Sequence, residues 1–228
     1  MCNLYSVTTN RQAIIDFVKA VSVAEGVGNF PPIPGVFPDY TAPIVRNFEN
    51  QRQLSMARWG MPSPEFALIS KKTGKRKGTD KGITNIRNTK SPHWRRWFGV
   101  ENRCVVPFNS FSENEVLQDG SRPPVWFAAN DDRPLQFFAG VWTNWTGVRK
   151  LKEGEISADI FAFLTTEANK EVGAIHPKAM PVILRTSEEA DTWLNAPWVE
   201  AVSVQRPLPD NSLKIVARGA KQDGLELI

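Results

Sequence analysis

The sequence predicts a mixed α+β fold organised around an antiparallel sheet. Three observations carry this. The strand-type segments are short runs rich in β-branched and aromatic residues. They do not alternate regularly with helical segments, as a doubly wound parallel sheet requires. Strong helix-start signals occur at only two places, each a capping box.

In chain order, Thr9-Asn10-Arg11-Gln12 reads as the first capping box. Ile14, Phe17, Val18 and Val21 follow at helical spacing, so residues 10–22 are expected to form an amphipathic helix. Phe30-Pro31-Pro32-Ile33-Pro34-Gly35-Val36-Phe37-Pro38 has too many prolines for a helix or a central strand and should wrap the surface as extended chain. β-Type segments are expected at residues 53–59, 103–108, 125–128, 136–142, 159–165, 181–184 and 201–204. The second capping box, Thr186-Ser187-Glu188-Glu189, opens a helix through about Leu194. No repeat, low-complexity tract or linker interrupts the chain. Its 228 residues are read as a single domain, 1–228, long enough to bury a substantial core.

Composition narrows the function classes. Hydrophobic residues make up 41% and charged residues 23%, which suits an ordinary globular protein. No apolar run approaches the ~18 residues of a membrane span, and Met1-Cys2-Asn3-Leu4 turns polar too soon for an export signal. With only Cys2 and Cys104 as cysteines, a reducing cytoplasm is the natural setting, and nothing argues for a disulfide. His93 and His176 are the only histidines and the cysteine spacing does not suggest zinc, so no metal site is expected. Net charge is +4, but its distribution says more: residues 71–81 hold six basic residues and one acid among glycines. A solvated surface loop is the plain reading of that segment. Trp94-Arg95-Arg96-Trp97-Phe98 then interleaves cations with aromatic rings, as a groove for single-stranded nucleic acid requires.

Cys2 stands directly behind the initiator methionine, which is commonly removed before a small residue. The mature chain would then begin with a 1,2-aminothiol, whose amine (~8) and thiol (~8.5) are each partly deprotonated at neutral pH. The amine condenses with an aldehyde to an imine, and the thiolate closes it to a thiazolidine. A small second residue also occurs with no catalytic role, so the rest of the chain must supply the support. Glu113 follows the apolar segment at 103–106, where a cleft could desolvate it into a proton shuttle. Taken alone, that segment fits a solvated loop glutamate better. His176, in Ile175-His176-Pro177-Lys178-Ala179-Met180-Pro181, has the side chain best matched to acid–base work near pH 7, and a buried structural histidine fits equally. Asn85 and Arg87 could orient a substrate and grip a phosphate, or simply finish a polar turn.

These segments occur in a characteristic order: Met1-Cys2-Asn3, Arg58-Trp59-Gly60-Met61-Pro62, Asn85-Ile86-Arg87, residues 103–113, Ala139-Gly140-Val141-Trp142, and His176 through Pro181. Together they resemble the SRAP family, the SOS-response-associated peptidases, over about residues 2–195. The remainder, 196–228, is read as an extension packed on that core. The resemblance implies one α+β SRAP-like domain with a barrel-like, mainly antiparallel β core and short peripheral helices. It implies a monomer in the bacterial cytoplasm, associated with the nucleoid when bound to DNA, with no cofactor and no membrane contact. It implies that the partner is single-stranded DNA carrying abasic sites, captured covalently through the N-terminal cysteine as a thiazolidine. Cys2 would be the nucleophile, Asn85 would position it and the opened sugar, Glu113 would relay protons, and His176 would act on the sugar oxygens. Arg58, Arg87 and Arg95 or Arg96 fall in segments resembling phosphate-contacting positions, and Trp59 in one that stacks near the lesion.

The chain departs from the family pattern at several places. Asn3-Leu4 replaces the common Gly-Arg, Thr89 stands where Asn-x-Arg-x-Glu has its acid, and Asn114 replaces the tryptophan after the glutamate. Lys178 substitutes for arginine in a histidine loop one residue longer, and is grouped with the candidate DNA contacts. Two other functions compete: a cysteine peptidase that removes its own Met1, and a non-covalent single-strand binder in which Cys2 is incidental.

Overall fold

The computed structural model describes residues 2–20 and 22–224. Val21, assigned above to the first helix, and Met1, whose loss the terminal chemistry requires, lie outside the described residues, as do residues 225–228.

The chain opens with β1 (Leu4–Val7), α1 (Arg11–Val18), β2 (Ser22–Val23), β3 (Ile33–Val36), β4 (Thr41–Phe48) and β5 (Gln51–Trp59). It continues through α2 (Glu65–Leu68), β6 (Asn85–Ile86), α3 (Pro92–Arg95), β7 (Arg103–Phe108), β8 (Ser110–Asn114), β9 (Pro124–Ala128), β10 (Gln136–Val148) and β11 (Glu155–Thr166). The last elements are α4 (Lys170–Gly173), β12 (Met180–Pro181), β13 (Ile183–Leu184), α5 (Ser187–Asn195), α6 (Trp198–Ala201) and β14 (Lys214–Arg218).

Five strands close a barrel in the order β11-β10-β7-β4-β5, and β5 returns to β11. Four of the seams are antiparallel; the closing one is parallel, pairing Ile160 with Arg58 and Phe161 with Trp59. Closure removes the sheet edges that would otherwise expose unpaired backbone. A second sheet, β14-β9-β8-β1-β3, packs against the barrel. Aromatic rings join the two. Tyr5 of β1 meets Trp59, Phe138 and Phe163 edge-to-face at 5.1, 5.7 and 6.2 Å, and Phe111 of β8 meets Phe108 and Phe138.

The barrel wall is tightest at Gly140. A Cβ there would stand 3.0 Å from both the Ala162 carbonyl and the Cys104 sulfur, so the strands can approach only because this residue has no side chain. Helix α5 seals the outside of this region: the Trp193 indole N–H donates to the carbonyls of Cys104 and Gly140 at 2.9 and 3.0 Å.

Several expectations need correction. The first helix ends at Val18, not residue 22, because Lys19 turns left-handed at φ 51° and its amide closes the last turn on Asp16 and Ile15. Its cap is Asn10, whose side chain accepts from the Ala13 amide at 2.9 Å; Thr9 is occupied by Asn109 at 2.7 Å. Residues 201–204 are helical, the end of α6 and a following 3₁₀ turn, with Ala201 and Val204 sharing a buried face at helical spacing. The proline-rich stretch contributes β3, an edge strand where a missing amide donor is tolerated. The strand expected at 136–142 runs on to Val148 because its outer half forms a long hairpin with β11. The Thr186 cap stands as expected, accepting from the Glu189 amide at 3.2 Å.

Candidate active site

Cys2 lies at one end of the small sheet, fully enclosed. Register explains its neighbours. β1 pairs with β8 as Leu4 with Ser112 and Tyr5 with Phe111, so the next step outward brings Asn3 alongside Glu113. On the other side β6 adds to β11 in parallel, Asn85 beside Phe163, which aims the Asn85 amide at the chain start. Asn85 Nδ2 donates to the Cys2 carbonyl at 2.8 Å and to the Thr84 hydroxyl at 2.7 Å. Its Oδ1 is buried with no hydrogen-bond partner among the described residues. Such an acceptor is costly unless something supplies a donor.

His176 arrives from the loop between α4 and β12. Asn169 caps α4 by accepting from Val172, and the amides of Ile175 and His176 fold back onto the Val172 carbonyl at 3.0 and 2.7 Å, fixing the histidine backbone. Asn3, Ser112, Glu113, Val116, Arg122, Ile175, His176 and Lys178 line one cleft of about 390 Å³.

Electrostatics distinguish the groups. Glu113 is 3% exposed, and burial pushes its carboxyl from the usual range up to about 7. Burial, with the Glu113 carboxylate adding to it, raises the Cys2 thiol well above the ordinary cysteine range; its Sγ lies 3.4 Å from the Leu4 carbonyl. His176 is shifted down by burial and by the Lys178 charge, so its imidazole is neutral near pH 7. The site therefore holds a thiol, a carboxyl poised near neutrality and a neutral imidazole.

The remaining candidate residues are spread more widely. Arg87 is exposed beside the site, donating to the Lys178 carbonyl at 3.4 Å and to Glu167 at 3.2 Å, and Lys178 is exposed. Trp59 is inside the barrel, 1% exposed, stacked on Phe163 at 5.2 Å with its N–H on the Thr84 carbonyl, and so presents no face to a base. Arg58 is held by Asp39 at 2.6 Å and Glu153 at 3.0 Å, with Lys150 in the same network. Arg95 and Arg96 are exposed on and just after α3; Arg95 donates to Lys90, and Arg96 packs 4.6 Å over the Trp97 ring. Sequence reasoning missed Arg122, a cation that the β8–β9 hairpin swings to the cleft. Ser121-Arg122-Pro123-Pro124 reads only as a turn, so no local signal could have found it. Thr84 was missed too; its hydroxyl ties Asn85 to Asn3 through a 3.4 Å hydrogen bond. No group of three or more His, Cys, Asp or Glu able to hold a metal ion occurs among the described residues, and none of their helices is long and apolar enough to cross a membrane.

The chain is thus a closed five-stranded barrel with Cys2 buried near a carboxyl held close to neutrality. Residues 1–218 match the model of the SOS response associated peptidase (SRAP) family, and the chain belongs to that family. Membership supports a DNA-damage-associated function, an interaction with DNA and an enzyme-like, peptidase-type chemistry. No curated protein matches the chain. Crystal structures share its fold. A protein from Bacteroides thetaiotaomicron is 21% identical with a TM-score of 0.69, the alignment covering 93% of this chain and 90% of that one. A Bordetella bronchiseptica protein is 20% identical with a TM-score of 0.66, covering 93% and 97%. A phage-related protein from the same organism is 18% identical with a TM-score of 0.64, covering 93% and 92%.

Proposed function

We propose that the protein captures abasic sites in single-stranded DNA covalently, through a thiazolidine formed by Cys2 after loss of Met1. The observation that carries this reading is the place of Cys2, buried directly behind Asn3 and near Glu113, two residues that line the cleft, with Glu113 held near pKa 7 and Asn85 gripping the Cys2 carbonyl.

The order of steps follows from the proton affinities. With its pKa raised, the thiol is the weaker starting nucleophile, so the terminal amine adds first to the aldehyde of the ring-opened sugar. Glu113, close to half protonated at neutral pH, protonates the departing hydroxyl of the carbinolamine, and water leaves as the C=N bond forms. The Cys2 sulfur then adds to the imine carbon, its proton passing to the nitrogen with Glu113 as relay. One C–N and one C–S bond form, one water is lost, and no redox partner is needed. Neutral His176 lies where it can exchange protons with sugar hydroxyls during ring opening. The Asn85 acceptor, unpaired among the described residues, suits a donor from the terminal amine or the opened sugar. Arg87, Arg122 and Lys178 give the cleft a cationic rim for flanking phosphates. A peptidase that relies on a ready thiolate is disfavoured by the same raised thiol.

Intact-mass measurement tests this. Incubation with abasic single-stranded DNA should add one DNA mass, less one water, to protein lacking Met1, and Cys2→Ala should abolish the adduct. Stable crosslinking by Cys2→Ala without added reductant would overturn the assignment.

A further inference from the structure

The basic segment 71–81 lies outside the cleft, and the chemistry above makes no use of it. Its root is nevertheless built with care. Buried Asp80 accepts from the Ser63 amide and hydroxyl at 2.8 and 2.6 Å and from the Gly82 amide at 2.8 Å. Buried Arg149 donates to the Asp80 carbonyl at 3.0 Å and to the Gly60 carbonyl, and lies 4.4 Å over the Trp145 ring. Gly60 and Gly82 have φ values of 144° and 76°, and a Cβ on Gly82 would collide with the Arg149 guanidinium. A buried cation is costly unless so fully engaged. Further out, the Lys77 amide and Nζ donate to the Leu68 and Ala67 carbonyls, and Arg76 pairs with Glu65 at 3.0 Å. This is an ordered platform. On it Lys71, Lys72, Lys75 and Lys81 are exposed and form no ion pair among the described residues. On the same platform Phe66, in α2, is 81% exposed, and Leu151, alongside Gly78, is 78% exposed.

Resting on the reading that the cleft takes single-stranded DNA, we propose that this platform is a second contact for the same strand, gripping phosphates with the lysines and stacking a base on Phe66. Unpaired cations on one platform with an exposed ring are the combination single-strand grooves use. An acidic peptide would engage the lysines and leave Phe66 without a role. Spacing agrees. The platform packs on the outer end of the β10–β11 hairpin, and from Glu155 to Phe163, beside Asn85, β11 spans roughly 26 Å at ~3.3 Å per residue. About eight stacked nucleotides at ~3.4 Å cover that distance, within the ~4–16 that single-strand-binding folds occupy.

The test measures binding of intact, lesion-free strands of about six and about twenty nucleotides over a range of salt. The wild type should prefer the long strand. Combined Lys71→Gln, Lys72→Gln, Lys75→Gln and Lys81→Gln should erase that preference and lower the log–log salt slope by roughly 3, at ~0.7 for each lost phosphate contact. Short-strand affinity and the thermal midpoint should not change. Phe66→Ala should weaken long-strand binding with no change in slope. An unchanged slope in the quadruple variant overturns the proposal, as does loss of polyglutamate binding with DNA binding intact. Because the strands carry no aldehyde, the result stands whether or not Cys2 crosslinks.

Discussion

Glu113 sits where an ionised carboxylate is least comfortable, on a strand end between Ser112 and the cleft, and its raised pKa has a stability consequence. The folded state holds the proton up to about pH 7, whereas an unfolded glutamate releases it near 4.5. The group's contribution is therefore fully present below about 4.5 and lost as pH rises through about 7, a swing on the order of 3 kcal/mol at ~1.4 kcal/mol per pH unit. Glu113→Gln should flatten this dependence and leave the variant more stable than the parent at pH 8, as measured by urea unfolding at pH 5 and 8. Its crosslinking rate should fall by about 10²–10⁴-fold, the usual worth of a positioned acid–base group, and should lack the inflection near pH 7 expected of the parent. An unchanged pH–rate profile would remove Glu113 from the proton relay. Asn85→Ala leaves the Cys2 carbonyl without its donor. A stability loss of about 1–3 kcal/mol and slower adduct formation are expected from denaturant melts and single-turnover crosslinking.

Among the elements, α5 shows how far local chemistry reaches. Thr186 and Glu189 are spaced as a capping box, and Thr186 does cap the helix that presses Trp193 onto the barrel. Thr186→Ala should cost about 1 kcal/mol, read as a shift in urea midpoint at constant m-value. Residues 201–204 show the opposite. Ala-Val-Ser-Val alternates like a strand, yet Pro197 stands at the N-cap of α6 and burial of Ala201 and Val204 together selects the helical period. Neither a short α6 nor a buried face is visible without the surface it packs on. Likewise β1 is too short and β8 too polar to announce itself, although their pairing positions Asn3 and Glu113.

At the scale of the whole molecule, Trp59 ties the barrel to the small sheet. It packs on Phe161, Phe163 and Tyr5, and its N–H holds the Thr84 carbonyl next to Asn85. Trp59→Ala should cost about 3–5 kcal/mol and lower Tm by roughly 6–20 °C at ~2–4 °C per kcal/mol. Impaired crosslinking would follow through a displaced Asn85, and weaker phosphate binding would not.

From the sequence alone came the α+β class, the order of the family segments and the candidate residues of the proposed chemistry: Cys2, Asn85, Glu113 and His176. These are properties of composition, spacing and side-chain reactivity, which a linear chain displays directly. Tertiary structure decided that β5 closes on β11, that Trp59 faces inward, that Arg122 reaches the cleft and that burial sets Glu113 near neutrality. Desolvation and strand register depend on residues distant in sequence, so no local segment encodes them. The same holds for Cys2: its second-position thiol is written in the first two residues, whereas its raised pKa, the amide at its carbonyl and its burial beside the cleft-lining Asn3 exist only once the barrel has closed.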